Sequence, residues 1–528
     1  MSESAPTRRQ LLKRGVELGG GLTALAVASY AGHAWAGSEA SANSTEPLTR
    51  VDSTTTRGIG EGATPFVSRP DLRPPSLTLN REIGWTPPTE VEGSYFILAP
   101  KAYAADGPGQ SGLMIVEADG ELAWFMPTAS STISRTNLQV QRYHGRPVLT
   151  WWEGRVPLGV GQGTGYIADR SYRVIATVQA GNGLRSDVHE MTLTPSGTAL
   201  ITAYRTTEAD LSAVGGPSRG QVYACQAQEI DVATGKMLAS WDSLDEVGIE
   251  ESHAAYSTKA GAGPYDYFHI NSIALADDGN WLISARNTWA VYKVNRQSGK
   301  VMWRLGGKKS DFTFGPGAHF YWQHHARAVT GNQLSLFDDG ASPAEEHQSR
   351  GLILNVDETT KHCTLVTAYT HPANLLAANQ GSVQVMPDGR VVVGWGNQPH
   401  FSEFLRDGTM VLDARFPADD QSYRAFRAHW RGQPSTLPDL VVKSFTTART
   451  AYASWNGDTR TAYWRVLGGR KPGLLKESVI VAKTGFETVI TVPPGGPGPF
   501  FAVEALDHDR KTLKRSATVR SLPGPVTT

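Results

Sequence analysis

The chain has 528 residues, enough for more than one domain and a large core. Lys+Arg and Asp+Glu both number 50, so the formal net charge is zero. That balance argues against a general nucleic-acid or anionic-membrane binder, which needs a basic surplus. Gly 55, Pro 31 and 14 Trp suit an all-β protein with many tight turns and aromatic packing. The two cysteines, Cys225 and Cys363, lie in no zinc-type spacing, and whether they pair is open.

The N-terminus reads as an export signal. Thr7-Arg8-Arg9-Gln10-Leu11-Leu12-Lys13 is a twin-arginine string, followed by a Gly/Ala/Leu-rich run and by Ala34-Trp35-Ala36, an A-x-A cleavage signal. The expectation is a signal peptide at residues 1–36 and an extracellular or cell-envelope protein. The apolar run is too short and glycine-rich for a stable membrane span. Residues 37–76 form a linker and lead-in, and 37–64, rich in Ser, Thr and Glu, reads as disordered.

From residue 77 onward, short apolar runs alternate with DG, PSG, PDG and TGK turns. Strand–turn–strand units fall at 114–124, 167–178, 229–241, 291–303, 352–369 and 404–416. They recur at intervals of roughly 50–65 residues, slightly long for a four-stranded propeller blade. Closing such sheets into a ring buries their faces and protects their edges. A large sandwich or solenoid is the alternative, and the even spacing of complete hairpins favours a six-bladed β-propeller over 77–432. Past the QPSTLP string at 433–438, short strands over 437–524 suit a fibronectin-III or immunoglobulin-like sandwich.

The polar residues that a sheet does not need cluster in two strings, DYFHINSIALADDGNWLISAR at 266–286 and WQHHAR at 322–327. His189, His269 and His324 each precede a strand by about ten residues, a repeat-based register that puts them on one surface. Asn271 and Arg286 accompany them. Three histidines are a possible metal set, but a fixed arginine beside them favours an anion. In their register only Glu190 supplies a carboxylate. Asp338-Asp339 with Glu345-Glu346 has the composition of a calcium site, but reads rather as a solvated loop. The glycine-rich run at 159–165 reads as a turn, 305–310 lacks the first P-loop glycine, and no G-x-S-x-G elbow occurs.

The strings VLTWWEG (148–154), AGNGL (180–184), DYFHINSI (266–273), SARN (284–287), WRLGG (303–307), SLFD (335–338) and SWNG (454–457), with His189-Glu190 and Gln323-His324, carry a resemblance. The chain resembles the arylsulfate sulfotransferase family, in particular its actinobacterial and fungal branch. The resemblance implies a six-bladed propeller that moves a sulfuryl group from an aryl sulfate to a phenol, without a nucleotide donor or other cofactor. It implies a transient sulfohistidine at His324. His269, Asn271 and Arg286 match groups around the sulfate, and His189 matches a histidine for proton transfer. His325 is a departure, because relatives carry an acidic residue there, and it leaves the nucleophile's orientation open. Phe268, Trp322 and Trp395 are candidates to flank the aryl ring, with inter-blade packing the commoner role for such aromatics, and no metal is expected. The partners implied are small molecules, an aryl sulfate and a phenol. An aryl sulfatase or esterase on the same scaffold, and a non-catalytic propeller binding an anion or glycan, are the rival readings.

Overall fold

The computed structural model describes residues 51–55 (as backbone only), 65–82, 93–101, 109–259, 261–417, 420–445, 448–493 and 498–523. The expected signal peptide lies outside them, as does most of the expected linker. The described chain is all-β. No helix among the described residues is long and apolar enough to cross a membrane.

Between Ser94 and His429 the described strands form successive sheets, five built on a four-stranded antiparallel meander and one on three early strands closed by a late fourth, beside a short pair of Pro100–Lys101 with Gln421–Ser422. The first combines Ser94–Leu98, Gly112–Val116 and Leu122–Pro127 with the late strand Phe426–His429. The second runs Ser134–Tyr143, Arg146–Arg155, Gln162–Ala168 and Val174–Val178. The third runs Met191–Leu193, Thr198–Ala209, Gly220–Asp231 and Met237–Asp242. Ile270–Leu275, Trp281–Ala285, Ala290–Val294 and Val301–Gly306 make the fourth. The fifth is His324–Ala328, Gln333–Asp338, Arg350–Asp357 and His362–Tyr369, and the sixth Ser382–Val385, Val391–Gly394, His400–Phe404 and Met410–Arg415.

The turns follow from their residues. At Gly235 (φ +71°) and Gly299 (φ +72°) the backbone is left-handed, where a side chain is disfavoured. Ahead of each glycine a short polar side chain closes the loop: Asp231 Oδ1 accepts from the Thr234 N–H at 2.8 Å, and Asn295 Oδ1 from the Ser298 N–H at 2.8 Å.

Apolar alternation then stacks the sheets. Leu200, Ile273 and Ile283 share a core between the third and fourth sheets, and Val291, Leu305 and Leu336 one between the fourth and fifth. Phe337, Val383 and Val393 join the fifth to the sixth. Phe96, Met114, Phe401 and Leu412 join the sixth back to the first, so the series of packed sheets closes on itself. Ile115 with Leu149, and Ile167 with Ile201, complete it.

Within the stretch read as linker and lead-in, Val51–Thr55 pairs with Thr78–Glu82, which adds to Met410–Arg415 at the edge of the sixth sheet. Phe66 and Leu72 are buried in the core between the sixth and first sheets. Beyond residue 438, one sheet contains Asp439–Ser444, Arg449–Ser454 and Glu487–Val492. A second contains Tyr463–Gly469, Lys476–Ala482, Phe500–Leu506 and Thr512–Arg515, and both contribute to one apolar cluster. Asn456 ties this region to the first sheet through hydrogen bonds to both backbone polar groups of Phe125. Cys225 and Cys363 are free and buried, in different cores.

Candidate active site

The site is assembled at the starts of the first strands of successive sheets. His189 precedes Met191–Leu193, His269 precedes Ile270–Leu275, and His324 opens His324–Ala328. The pairing register slips between Ile270 and Ser272 and between His324 and Arg327. His269 and His325 have φ of +54° and +56° there. Such bulges re-aim side chains out of the sheet alternation. His189 and His269 end edge-to-face, with ring centroids 4.8 Å apart. Both act electrostatically on His324.

Each histidine holds its own aspartate. Nδ1 of His189 is 2.6 Å from Asp187 Oδ2, Nδ1 of His269 is 2.5 Å from Asp266 Oδ2, and Nδ1 of His324 is 2.7 Å from Asp339 Oδ2. The sequence reading found one carboxylate in the histidine register, Glu190, and set Asp338-Asp339 in a solvated loop. The structure corrects both points. Asp338 and Asp339 are fully buried, and Glu190 turns away to pair with Arg327 at 2.5 Å and Arg424 at 3.2 Å. Burial alone would raise the Glu190 carboxyl, but these two guanidinium groups outweigh it and hold it below its ordinary value.

The protonation of His324 follows from its partners. The Gln380 N–H donates to His324 Nε2 at 3.3 Å, so Nε2 carries the lone pair and the proton sits on Nδ1 facing Asp339. Burial, reinforced by the Arg286 cation, pushes the His324 pKa well below its usual range. A neutral imidazole with its lone pair on Nε2 is a competent nucleophile. Burial also drives the Asp339 carboxyl well above the usual range, against the opposing pull of Arg286. Burial lowers the His269 pKa despite Asp266.

Arg286 follows the strand Trp281–Ala285, as Asp339 follows Gln333–Asp338 one sheet later. Its guanidinium donates to Ala378 O (2.8 Å) and Asn287 Oδ1 (3.0 Å) and lies over the Trp322 ring, 4.6 Å from its centroid. Trp322 therefore borders the site. Asn271 is fully buried, and its Nδ2 donates to Gln323 O at 2.6 Å. That bond braces the strand carrying His324, where the sequence reading had placed Asn271 beside the sulfate. His325 turns the other way: its Nδ1 accepts from the Val383 N–H at 3.4 Å and its ring packs on Phe426.

Phe268 and Trp395, expected at the aryl ring, sit fully buried in cores. Phe268 packs with Trp241, Tyr267 and Tyr292, while Trp395 donates its indole N–H to Ser402 Oγ and packs on Phe337 and His371. Trp395 follows its strand just as Arg286 does, so register alone could not separate a site residue from a core one.

Beneath the histidines, Arg424 donates to His189 O at 2.9 Å and to Asn271 O at 3.1 Å, linking carbonyls of two site residues. Tyr204 and Tyr423 flank His189 at ring distances of 6.2 and 6.0 Å. Sequence reasoning missed Asp187, Asp266, Asp339, Gln380 and Arg424. The internal repeat held a signal for Gln380 and Asp339, which share registers with His269 and Arg286.

A second histidine–carboxylate group, His371, His400 and Asp413, has its donor atoms within 4.8 Å of one another. The Ala373 N–H donates to His371 Nδ1 at 3.1 Å, which leaves the proton of a neutral imidazole on Nε2, facing Asp413 at 3.2 Å. With that nitrogen protonated, the group fits a cluster of histidines around one carboxylate and does not fit a ligand set.

Successive sheets thus bring three buried histidines, each with its own aspartate, together with an arginine. The chain belongs to the arylsulfotransferase (ASST) family, whose model matches residues 139–417. Membership makes it a transferase of the class that moves sulfuryl groups from aryl sulfates, with small molecules as substrates. No curated protein matches the sequence. Among solved structures, similarity is remote. A protein of unknown function from Bacteroides caccae is 12% identical, covering 63% of this chain and 98% of its own, with a TM-score of 0.39. A catalytically inactive virginiamycin B lyase from Staphylococcus aureus, with quinupristin, is 9% identical, covering 72% and 97%, with a TM-score of 0.33. YCF48 from Cyanidioschyzon merolae is 10% identical, covering 68% and 92%, with a TM-score of 0.31.

Proposed function

We propose that the protein transfers a sulfuryl group from an aryl sulfate to a phenol by double displacement through His324. The observation that carries the reading is the pair of contacts on His324: the Gln380 N–H donates to Nε2 and Asp339 Oδ2 faces Nδ1, which assigns the ring proton to Nδ1 and the lone pair to Nε2.

In the first half-reaction the Nε2 lone pair attacks sulfur, an N–S bond forms, and the S–O bond to the aryl group breaks. The electron pair leaves on the aryl oxygen, which takes a proton from His189. Sulfation makes the imidazole ring cationic, and the Asp339 carboxylate at Nδ1 balances that charge. In the second half-reaction His189 takes the proton of the acceptor phenol. The phenol oxygen attacks sulfur, the N–S bond breaks, and its electrons return to Nε2. Arg286 offers its fixed positive charge to the sulfuryl oxygens, where charge concentrates in a loose transition state. His269, held by Asp266, completes the polar wall.

The scaffold of this reading is a six-bladed propeller followed by a fibronectin-like sandwich, supported by the closed series of meander sheets and the two sheets around the C-terminal cluster. Export by the twin-arginine pathway, supported by the N-terminal string, fits a transferase that needs no nucleotide donor. The test is release of a chromogenic phenol from an aryl sulfate with and without a second phenol. A transferase speeds release with rising acceptor and gives ping-pong kinetics. Release indifferent to acceptor overturns transfer and leaves a sulfatase.

A further inference from the structure

Outward from Arg286 runs a continuous strip of rings. Trp322, under the Arg286 guanidinium, meets Trp289 edge-on with centroids 5.1 Å apart. Tyr321 meets Trp289 in the same way at 5.1 Å. His253 lies flat on Trp289, 3.5 Å away and within 10° of parallel. Trp322 is buried, whereas Trp289, Tyr321 and His253 are partly exposed, so the strip leads from the site toward solvent.

Two features show that the strip is held in place. Trp289 and Trp322 both have left-handed backbones, φ +53° and +59°, a rare state for bulky residues that persists where the surroundings enforce it. Gly306 packs so closely on the Trp289 carbonyl that a Cβ there would come within 2.5 Å of its oxygen. His253 also stays uncharged near neutrality, because burial and the Lys308 cation lower its pKa to about 4. The strip therefore presents aromatic surface with no added positive charge of its own.

We infer that Trp289, with Tyr321 and His253, forms a second-ring subsite that selects aryl groups of two fused or linked rings over single rings. The inference rests on the proposed sulfuryl transfer, with the sulfate at Arg286 and His324 and its first ring beside Trp322. A second ring then reaches Trp289, where aromatic contact adds affinity that a single ring does not collect. Trp289 touches the distal ring only, so it governs specificity and takes no part in bond-making.

The test begins with unreactive anions, naphthalenesulfonate and benzenesulfonate, titrated calorimetrically into the full chain. The wild type should bind naphthalenesulfonate about tenfold more tightly. Trp289→Ala should bring the ratio to near unity with benzenesulfonate affinity unchanged, which also shows the site intact. Equal affinities in the wild type, or a preference that survives in Trp289→Ala, overturn the inference. Should Trp289→Ala lose both anions, Trp289→Phe decides: a reduced ratio supports the subsite and an unchanged one overturns it. In turnover, the naphthyl-to-phenyl sulfate ratio of kcat/KM should fall in the variant through KM, with kcat held. If the anions bind as expected while no aryl sulfate is turned over, sulfuryl transfer fails and the subsite stands. Turnover without ring-number preference sinks the subsite alone.

Discussion

Asp339 Oδ2 lies 2.7 Å from His324 Nδ1, while the Gln380 N–H reaches Nε2 of the same ring from the other side. The two contacts hold the imidazole in the tautomer whose Nε2 lone pair accepts the Gln380 N–H, a long 3.3 Å bond that gives way as Nε2 attacks sulfur. They also place a carboxylate where positive charge develops once Nε2 is sulfated.

Asp339→Asn keeps an acceptor for the Nδ1 proton and removes the charge. Loss of the orienting carboxylate in a comparable serine–histidine–aspartate site costs about 10⁴-fold. Here kcat is expected to fall at least ~10²-fold, with the variant still folded. Stopped-flow release of the first phenol, compared with steady-state turnover, checks whether His324 sulfation is the step that slows.

The same pair sets a pH dependence. The active form has Asp339 ionised; once protonated, its O–H would donate to Nδ1 and move the ring proton onto Nε2. Burial raises the Asp339 carboxyl well above its ordinary range, so activity should be lost as pH falls through that raised value. The acid limb of kcat/KM is thus expected above the normal carboxylate range, and in Asp339→Asn it should move to lower pH. An acid limb unmoved by the substitution would assign the titration to another group.

His325 provides the contrast. It accepts the Val383 N–H and packs on Phe426, a different set of partners from those of His324. His325→Ala should destabilise the fold by about 1–3 kcal/mol through the unpaired N–H. Turnover per folded molecule should stay within a few-fold of wild type. Thermal unfolding and active-site titration by the first-turnover burst separate the two effects.

Much of this architecture was legible in the sequence. The meander hairpins were readable because DG and TGK turns impose φ that only certain residues tolerate, as at Gly235 and Gly299. His189, His269 and His324 were visible as a register because the repeat places them alike. Asp339 was less so, since its contact with His324 joins two strands across a hairpin, whereas Asp187 and Asp266 sit two and three residues before their histidines and were in plain view. Trp395 and Phe268 are the reverse case: Trp395 shares the register of Arg286 and Phe268 adjoins His269, but apolar packing takes both into the cores.

The buried group at Asp413 predicts how the fold responds to acid. Burial would raise its carboxyl, but hydrogen bonds from His371 and His400 lower it from 3.8 to about 2. A carboxyl depressed in the native state contributes stability that is complete above the unfolded value and is lost as pH falls through the folded one. Asp413→Asn should lose stability near neutrality and show a flatter decline between pH 4 and 2 than wild type, measured by urea unfolding.

Arg424 is expected to be structural and positional at once. Arg424→Ala leaves Arg327 as the one cation paired with Glu190 among the described residues and removes the link between the carbonyls of His189 and Asn271. Removing one partner of a buried pair costs about 3–5 kcal/mol. Adding Glu190→Gln should restore part of the stability without restoring kcat, since the link between the two carbonyls stays broken. Chemical unfolding and turnover on the single and double variants read the two consequences separately.

The most direct test is the intact mass and peptide map of the protein after brief exposure to an aryl sulfate without acceptor. One added sulfuryl group should appear on the peptide containing His324, vanish when a phenol is added, and be absent from His324→Ala while His325→Ala still carries it. A protein that turns over aryl sulfate with no such adduct under rapid quench, or with the adduct on another residue, would contradict double displacement through His324.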